Sequence, residues 1–320
     1  MMKKYISMAM VAIAAFTFSG CSNEDIQIDK SLTVTINPAN VVAPFTFEVF
    51  PGDLTNFDYQ YTLRTRLLIY NEVGKRVSIT ERHLNDYKDI MNVQPNLPNG
   101  TYTMVAITDI ISKDGTTEYW TLSDGDGHDL SKLQVTTVKK MQGENEIINQ
   151  GYKKNILGTQ VKRVTINKDT ESINMEPTAA GALICVHFKG ITKFSDVKVL
   201  QFNTNQLPDY LAFDTSKGDF IASSRSFGSK LQGVYINFIP SDGDVEFVDY
   251  VFMLPTDAIM AFAYREDDDQ VHLVGYKDKS DSKKYLNADL TRGKEYEVLL
   301  DLNSMSDIST GKSFSIRAIN

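Results

Sequence analysis

Apolar and polar residues alternate with a period of two along much of this chain. Thr33-Val34-Thr35-Ile36 alternates, as does Phe45-Thr46-Phe47-Glu48-Val49-Phe50. Tyr59-Gln60-Tyr61-Thr62-Leu63-Arg64 continues the pattern before the more apolar Leu67-Leu68-Ile69-Tyr70. Arg76 to Thr80 and Gly100 to Ile107 follow. The second half offers Ala182 to Phe188, Val197 to Phe202, Val234 to Phe238 and Tyr296 to Leu300. Such runs, rich in Val, Ile, Thr, Tyr and Phe and bounded by Gly, Pro, Asn and Asp, predict strands. Asn71-Glu72-Val73-Gly74, Pro98-Asn99-Gly100, Lys113-Asp114-Gly115 and the polar stretch 265–270 read as turns or loops between them. Many short strands punctuated in this way predict an all-β chain of antiparallel β-sandwiches.

Helical patterns are few. Glu81 to Met91 is read as one short helix and Met141 to Tyr152 as a weaker second. Apolar density falls between Gly151 and Asn174, where Lys, Asn and Thr rise. A length of 320 residues suits two domains. The expected division is an N-terminal sandwich over 26–157 and a C-terminal sandwich over 158–320.

The first thirty residues follow a different rule. Met1-Met2-Lys3-Lys4 is a basic start, Tyr5 to Phe18 carries no charge, and Ser19-Gly20 supplies small residues before Cys21. This is the layout of a secretory signal, and its apolar run falls short of the ~20 residues that span a bilayer. Residues 1–20 are therefore read as a signal peptide and 21–30 as a tether. Phe18-Ser19-Gly20-Cys21 resembles the lipobox of bacterial lipoproteins, with Phe18 in place of the usual Leu. That resemblance implies a diacylglyceryl group on the Cys21 sulfur and an acylated (palmitate-type) new amine. Two or more chains anchor a protein stably where one does not. Ser22-Asn23-Glu24-Asp25 looks like the surface-export signal of Bacteroidetes lipoproteins, so the expected site is the outer membrane, on its outer face.

Charge and composition narrow the function. Loss of Lys3 and Lys4 with the signal leaves 31 basic against 41 acidic residues, moving the net charge from -8 to -10. Such a chain is a poor partner for nucleic acid, which is bound by neutralising phosphates. The only cysteines are Cys21 and Cys185, so a lipidated Cys21 leaves no intramolecular disulfide. His83, His128, His187 and His272 are scattered without ligand spacing, and no nucleophile elbow, dinucleotide fingerprint or P-loop occurs. Cys185 and His187 lie in one strand-like run, where a structural role is expected. Asp267-Asp268-Asp269 reads as a solvated loop tip. No cofactor, no metal and no enzymatic activity are expected.

Two features carry an alternative each. Ser123-Asp124-Gly125-Asp126-Gly127-His128-Asp129 places three carboxylates in a glycine-containing loop, a composition suited to calcium. It lacks the later Glu of an EF-hand and flanking helices, so a polar turn is the competing reading. Trp120, beside Tyr119, is either core material or a flat platform on which a sugar ring stacks.

Leu67-Leu68-Ile69-Tyr70-Asn71-Glu72-Val73-Gly74 and Leu97-Pro98-Asn99-Gly100-Thr101-Tyr102-Thr103-Met104-Val105-Ala106 resemble segments of Bacteroidetes fimbrillin-type lipoproteins, nearest to the fimbrial anchoring subunits. The resemblance implies two transthyretin-like sandwiches, no cofactor, and assembly with other fimbrial subunits by strand donation, the addition of an extended segment to a free sheet edge. Stalk subunits of that kind lose their N-terminal segment by cleavage after an arginine. The first arginine here after Cys21 is Arg64, inside a strand-like run, while Lys30 remains available to another protease. An uncut, lipidated subunit that anchors a fimbria or forms part of one is therefore expected. Ser313 to Ile319 alternates and is read as the last strand of its own domain. The alternative is a surface glycan-binding lipoprotein of a polysaccharide-uptake system, with a glycan or host ligand.

Overall fold

The structure, a computed structural model, describes residues 32–45, 61–112, 114–116, 118–142, 145–148, 156–189, 199–203, 208–223, 233–237, 247–265, 271–274, 286–301 and 314–318. Cys21 and its tether, Thr46 to Gln60 and Asp267-Asp268-Asp269 lie outside the described residues.

Strands dominate, as the alternation predicts. The first half supplies β1 (Thr33–Ile36), β2 (Tyr61–Asn71), β3 (Arg76–Leu84), β4 (Met91–Val93), β5 (Gly100–Ser112), β6 (Trp120–Ser123), β7 (Gln134–Thr137), β8 (Lys139–Gln142) and β9 (Asn145–Ile148). Then come β10 (Leu157–Ile166), β11 (Ser172–Met175), β12 (Thr178–Ala179), β13 (Ala182–Lys189), β14 (Val199–Asn203), β15 (Tyr210–Asp214) and β16 (Asp219–Ser223). The rest are β17 (Gly233–Asn237), β18 (Phe247–Met253), β19 (Thr256–Arg265), β20 (Val271–Val274), β21 (Leu286–Leu290), β22 (Glu295–Asp301) and β23 (Phe314–Ala318).

The N-terminal sandwich has a five-stranded sheet, β12-β10-β5-β2-β3, and a three-stranded sheet, β11-β1-β4. Their inner faces meet in one apolar core, to which β1 gives Val34 and Ile36 and β11 gives Ile173 and Met175. The C-terminal half pairs as β18-β13-β22-β23 and as β17-β14-β19-β20, with β21 on β19. A further sheet, β16-β15-β7-β6, joins strands from both halves. Pairing is antiparallel except for β1 with β11 and β13 with β22, which are parallel.

Both expected helices are strands instead. Glu81 to Leu84 ends β3, a turn follows at Asn85–Lys88, and Met91 opens β4. Here the Asp89 carboxylate accepts from the Asn85 and Asp86 amides and caps a turn, not a helix. Lys139–Gln142 and Asn145–Ile148 pair as β8 and β9; residues 143–144 and 149–152 lie outside the described set. The helical elements among the described residues are two single 3-10 turns, Pro38–Val41 and Leu130–Lys132.

β2 and β5 hold the first half together. They pair over eleven positions, from Tyr61↔Ser112 to Asn71↔Tyr102. Thr62 to Tyr70 is buried without interruption. Leu63, Thr65, Leu67 and Ile69 point one way; Arg64, Arg66, Leu68 and Tyr70 point the other, as strand geometry requires. A strand covered on both faces loses the apolar–polar alternation, which is why Leu67 to Tyr70 reads as a continuous apolar run.

β10 spans the expected break between residues 157 and 158 and pairs with β5 from Leu157↔Asp109 to Ile166↔Gly100. The halves meet beyond it. Phe45 packs edge-on against Phe252, with ring centres 6.3 Å apart. Arg292 donates to Thr159 Oγ1 at 2.7 Å and to the Ala179 carbonyl at 3.5 Å. The Gly293 amide donates to the Gly181 carbonyl at 2.8 Å.

The 3-10 turn after β1 lies directly on β10. A Cβ added at Gly158 would stand 2.2 Å from Val41 Cγ2, far inside contact distance. Gly158→Ala is expected to destabilise the protein by about 1–3 kcal/mol through overpacking. The same change should cost much less in a Val41→Ala background, a coupling that urea unfolding of the four proteins measures.

Candidate functional site

The outer face of β2 and β5 carries an ionic cluster. Arg64 grips Asp109 with two bonds, Nε to Oδ1 at 3.0 Å and Nη2 to Oδ2 at 2.6 Å. The two residues are direct cross-strand partners. Arg66, two residues on and so on the same face, donates to Asp109 Oδ1 at 3.2 Å. Arg64 Nη1 also pairs with the half-exposed Glu118, and Nη2 donates to the Trp120 carbonyl at 3.0 Å. Burial opposes the charge of Arg64, but the bonds and negative charges of Asp109 and Glu118 outweigh it and raise its pKa. Buried charges persist when they are paired and hydrogen-bonded. The cluster thus straps residues 118–120 across the sheet.

A second strap lies at the other end of β2. The Tyr70 hydroxyl donates to Asp124 Oδ2 at 3.1 Å, and Arg76 Nη1 donates to the same oxygen at 2.8 Å. Burial, then the Asp124 carboxylate, hold the Tyr70 phenol protonated well above its ordinary range. His128 takes a positive φ of 49°, and its Nδ1 lies 3.0 Å from Asp124 Oδ1 and 2.7 Å from Arg76 Nη2. One ring nitrogen cannot donate to the first and accept from the second at once, so its tautomer selects the partner. The Leu130 amide donates to the Gly74 carbonyl and the Arg76 amide to the His128 carbonyl, which docks the loop on the β2–β3 hairpin.

This geometry bears on the two alternatives left by the sequence. Asp124 Oδ2 accepts from Tyr70 and Arg76, and its Oδ1 lies beside His128 Nδ1. Asp129 Oδ1 caps the next turn, accepting from the Ser131 amide at 3.0 Å and hydroxyl at 2.7 Å. Asp126 is exposed and stands apart. Among the described residues no three His, Cys, Asp or Glu side chains converge as ligands. Trp120 is only 2% exposed and belongs to the core; its ring offers no face to a sugar.

The remaining sequence candidates fall on separate elements. His83 lies on β3, Cys185 and His187 on β13 and His272 on β20. The C-terminal run forms β23, which pairs with β22 from Tyr296↔Ala318 to Leu300↔Phe314, so it serves its own sheet.

β1 has the position most relevant to assembly. It is the central strand of its sheet, between β4 and β11, and it begins twelve residues after Cys21 with Leu32 already buried. Arg64 lies beyond it and its side chain is buried in the ionic cluster. The sequence places Arg64 in a strand but gives no sign of the Asp109 pairing, because the partners are far apart along the chain.

No protein-family model matches this sequence, and no curated protein is significantly similar to it. Among solved structures, a candidate polysaccharide-binding protein of Bacteroides thetaiotaomicron aligns with a TM-score of 0.51 at 12% identity, over 91% of this chain and 96% of its own. The two share a fold. The fimbrial anchor protein of Porphyromonas gingivalis aligns over 90% of this chain and 97% of its own, at 9% identity and a TM-score of 0.47. A candidate adhesin of Bacteroides ovatus aligns over 86% and 89%, at 9% identity and a TM-score of 0.46.

Removing Asp109 leaves two buried cations facing each other. Asp109→Ala is expected to cost about 3–5 kcal/mol, whereas Arg66→Met, which leaves the Arg64–Asp109 pair intact, should change stability little. Chemical unfolding of both variants checks the contrast. In the second strap, Tyr70→Phe should cost about 0.5–1.5 kcal/mol, and millimolar calcium should give neither heat in calorimetry nor a shift in Tm.

Proposed function

We propose that this protein is a non-enzymatic, outer-membrane lipoprotein of the cell surface that anchors a fimbria or forms part of one. Acyl chains on Cys21 hold it to the membrane, and residues 22–31 tether the folded body. It joins other fimbrial subunits by β-strand donation and takes no cofactor. We place the end of its N-terminal sandwich near Ala180, since β10, β11 and β12 pair with strands of that domain.

The observation that carries this reading is the position of β1. The strand next to the tether is bonded on both sides and packed in the core. The first arginine after Cys21 is buried in an ion pair within the following strand. Arg-directed processing of the folded chain therefore has no accessible site before β3, and the lipid stays attached to the body. The fold shared with the Bacteroides protein is compatible with this role. The glycan-binding alternative loses Trp120 as part of its platform, because that ring is core.

Cys21→Ala should move the protein from the outer-membrane fraction to the soluble fractions without changing its Tm. Mass spectrometry of the native mature form should find Cys21 acylated and Lys30 retained. A tag in the exposed turn at Ser216–Gly218 should recover other β-rich fimbrial subunits from outer membranes. Recovery of a porin-like transporter with glycan-binding lipoproteins instead would replace this reading with the uptake one.

A further inference from the structure

β1 is paired so that its two ends lead to opposite parts of the molecule. Its first residue, Thr33, donates its amide to the Glu171 carbonyl at 3.0 Å. Just past its last residue, the Asn37 amide donates to the Met175 carbonyl at 2.9 Å. Between them the register with β11 is parallel, Thr33↔Ser172 to Ile36↔Met175. The tether to Cys21 leaves from the Thr33 end. At the other end, β11 runs through Glu176-Pro177 into β12 and on to β13 of the C-terminal half.

The C-terminal half is also fastened at that second end. Gly293 bonds Gly181, Arg292 bonds the Ala179 carbonyl, and Phe45 packs on Phe252. The chain after β1 is locked there as well. Asn37 caps the 3-10 turn by accepting from the Ala39 amide at 3.1 Å, and Val41 of that turn presses on Gly158.

We propose that β1 is a mechanical clamp that carries load between the membrane tether and the C-terminal half. The proposal rests on the anchored reading above for the source of the load. Force drawn along the tether against the C-terminal half runs along the β1 axis. In a parallel pair the evenly spaced bonds are then sheared together, and none yields until all do. Force applied across the ladder from its Thr33 end would break the same bonds one after another. Forced unfolding reports the unfolding barrier and not equilibrium stability, so the two directions of pulling should differ although the contacts are the same.

The test is single-molecule pulling on the unlipidated mature chain, in a Cys185→Ala background, with the Cys21 thiol as one handle. The second handle is Lys294→Cys, exposed in the turn that bonds Gly181, or Asp169→Cys, exposed in the turn beside Thr33. The unfolding force for the 21–294 pair should be several-fold that for the 21–169 pair. Thr35→Pro removes the amide that lies between the two bonds to β11, and it should abolish the high-force event while barely changing the 21–169 force. Equal forces in the two geometries, or a lower force for 21–294, would overturn the clamp. Should Thr35→Pro fail to fold, the comparison of geometries decides alone. Because the purified chain is pulled, failure here leaves the membrane and partner experiments standing, and their failure leaves this one standing.

Discussion

Burial of β2 and β5 on both faces is the constraint on which the rest of the first half depends. One face meets β1, β4 and β11 through apolar side chains. The other must be covered by chain that is not a second sheet of the same sandwich. The segment from Glu118 to Leu133 supplies that cover with Trp120, Leu130 and Leu133, all buried. Burial on this side also traps Arg64, Arg66 and Asp109, and a trapped charge is tolerated only when paired and hydrogen-bonded. The bidentate Arg64–Asp109 pair meets that demand and uses its spare donor on the Trp120 carbonyl. The ionic cluster and the covering segment therefore require one another.

The same segment continues into β7, which pairs with β15 of the second half. Cover for one domain thus becomes sheet for the next. Leu133, Val135, Leu211, Phe213 and Phe220 share a single cluster with Leu67 and Val105. This common core and the Arg292 contacts link the halves. A two-domain chain whose halves share a core transmits force and strain between them more directly than one whose halves are joined by a linker.

The legible part of this fold was its local part. Alternation located β1, β3, β5, β13 and β22; in β1 the cause is plain, since Val34 and Ile36 are buried while Thr33 and Thr35 are half-buried. The Asn71–Gly74 turn was legible because Gly74 takes the positive φ (78°) that such a turn needs. The long-range pairings were not legible. Nothing in Thr33-Val34-Thr35-Ile36 announces a parallel partner at Ser172, and nothing in Val135 points to Leu211. The false helix at Glu81 to Met91 has a physical origin. Glu81, Arg82 and His83 end an edge strand whose outer side is wet, so period two disappears and a charged stretch looks helical. The loop at Asp124 shows the converse limit. Its composition suited an ion, but Tyr70 and Arg76, distant in sequence, already supply the hydrogens that its carboxylate needs.

The outer edge of β3 shows how this sheet avoids indiscriminate pairing. Val77 and Ile79 are exposed there at 49% and 46%, a combination that invites another strand. At one end, however, the docked loop covers Lys75 and Arg76 through the Asp129 bridge and the His128 carbonyl. At the same end Ser78 faces Ile69 while Arg76 faces Tyr70, so Val77 is an extra residue and the edge kinks. At the other end Glu81, Arg82 and His83 place charge along the strand. Bulges, covering loops and edge charges are the devices by which natural sheets resist edge-to-edge association. The Tyr70–Asp124–Arg76 strap, which fixes the covering loop, is part of this protection as much as it is part of the core.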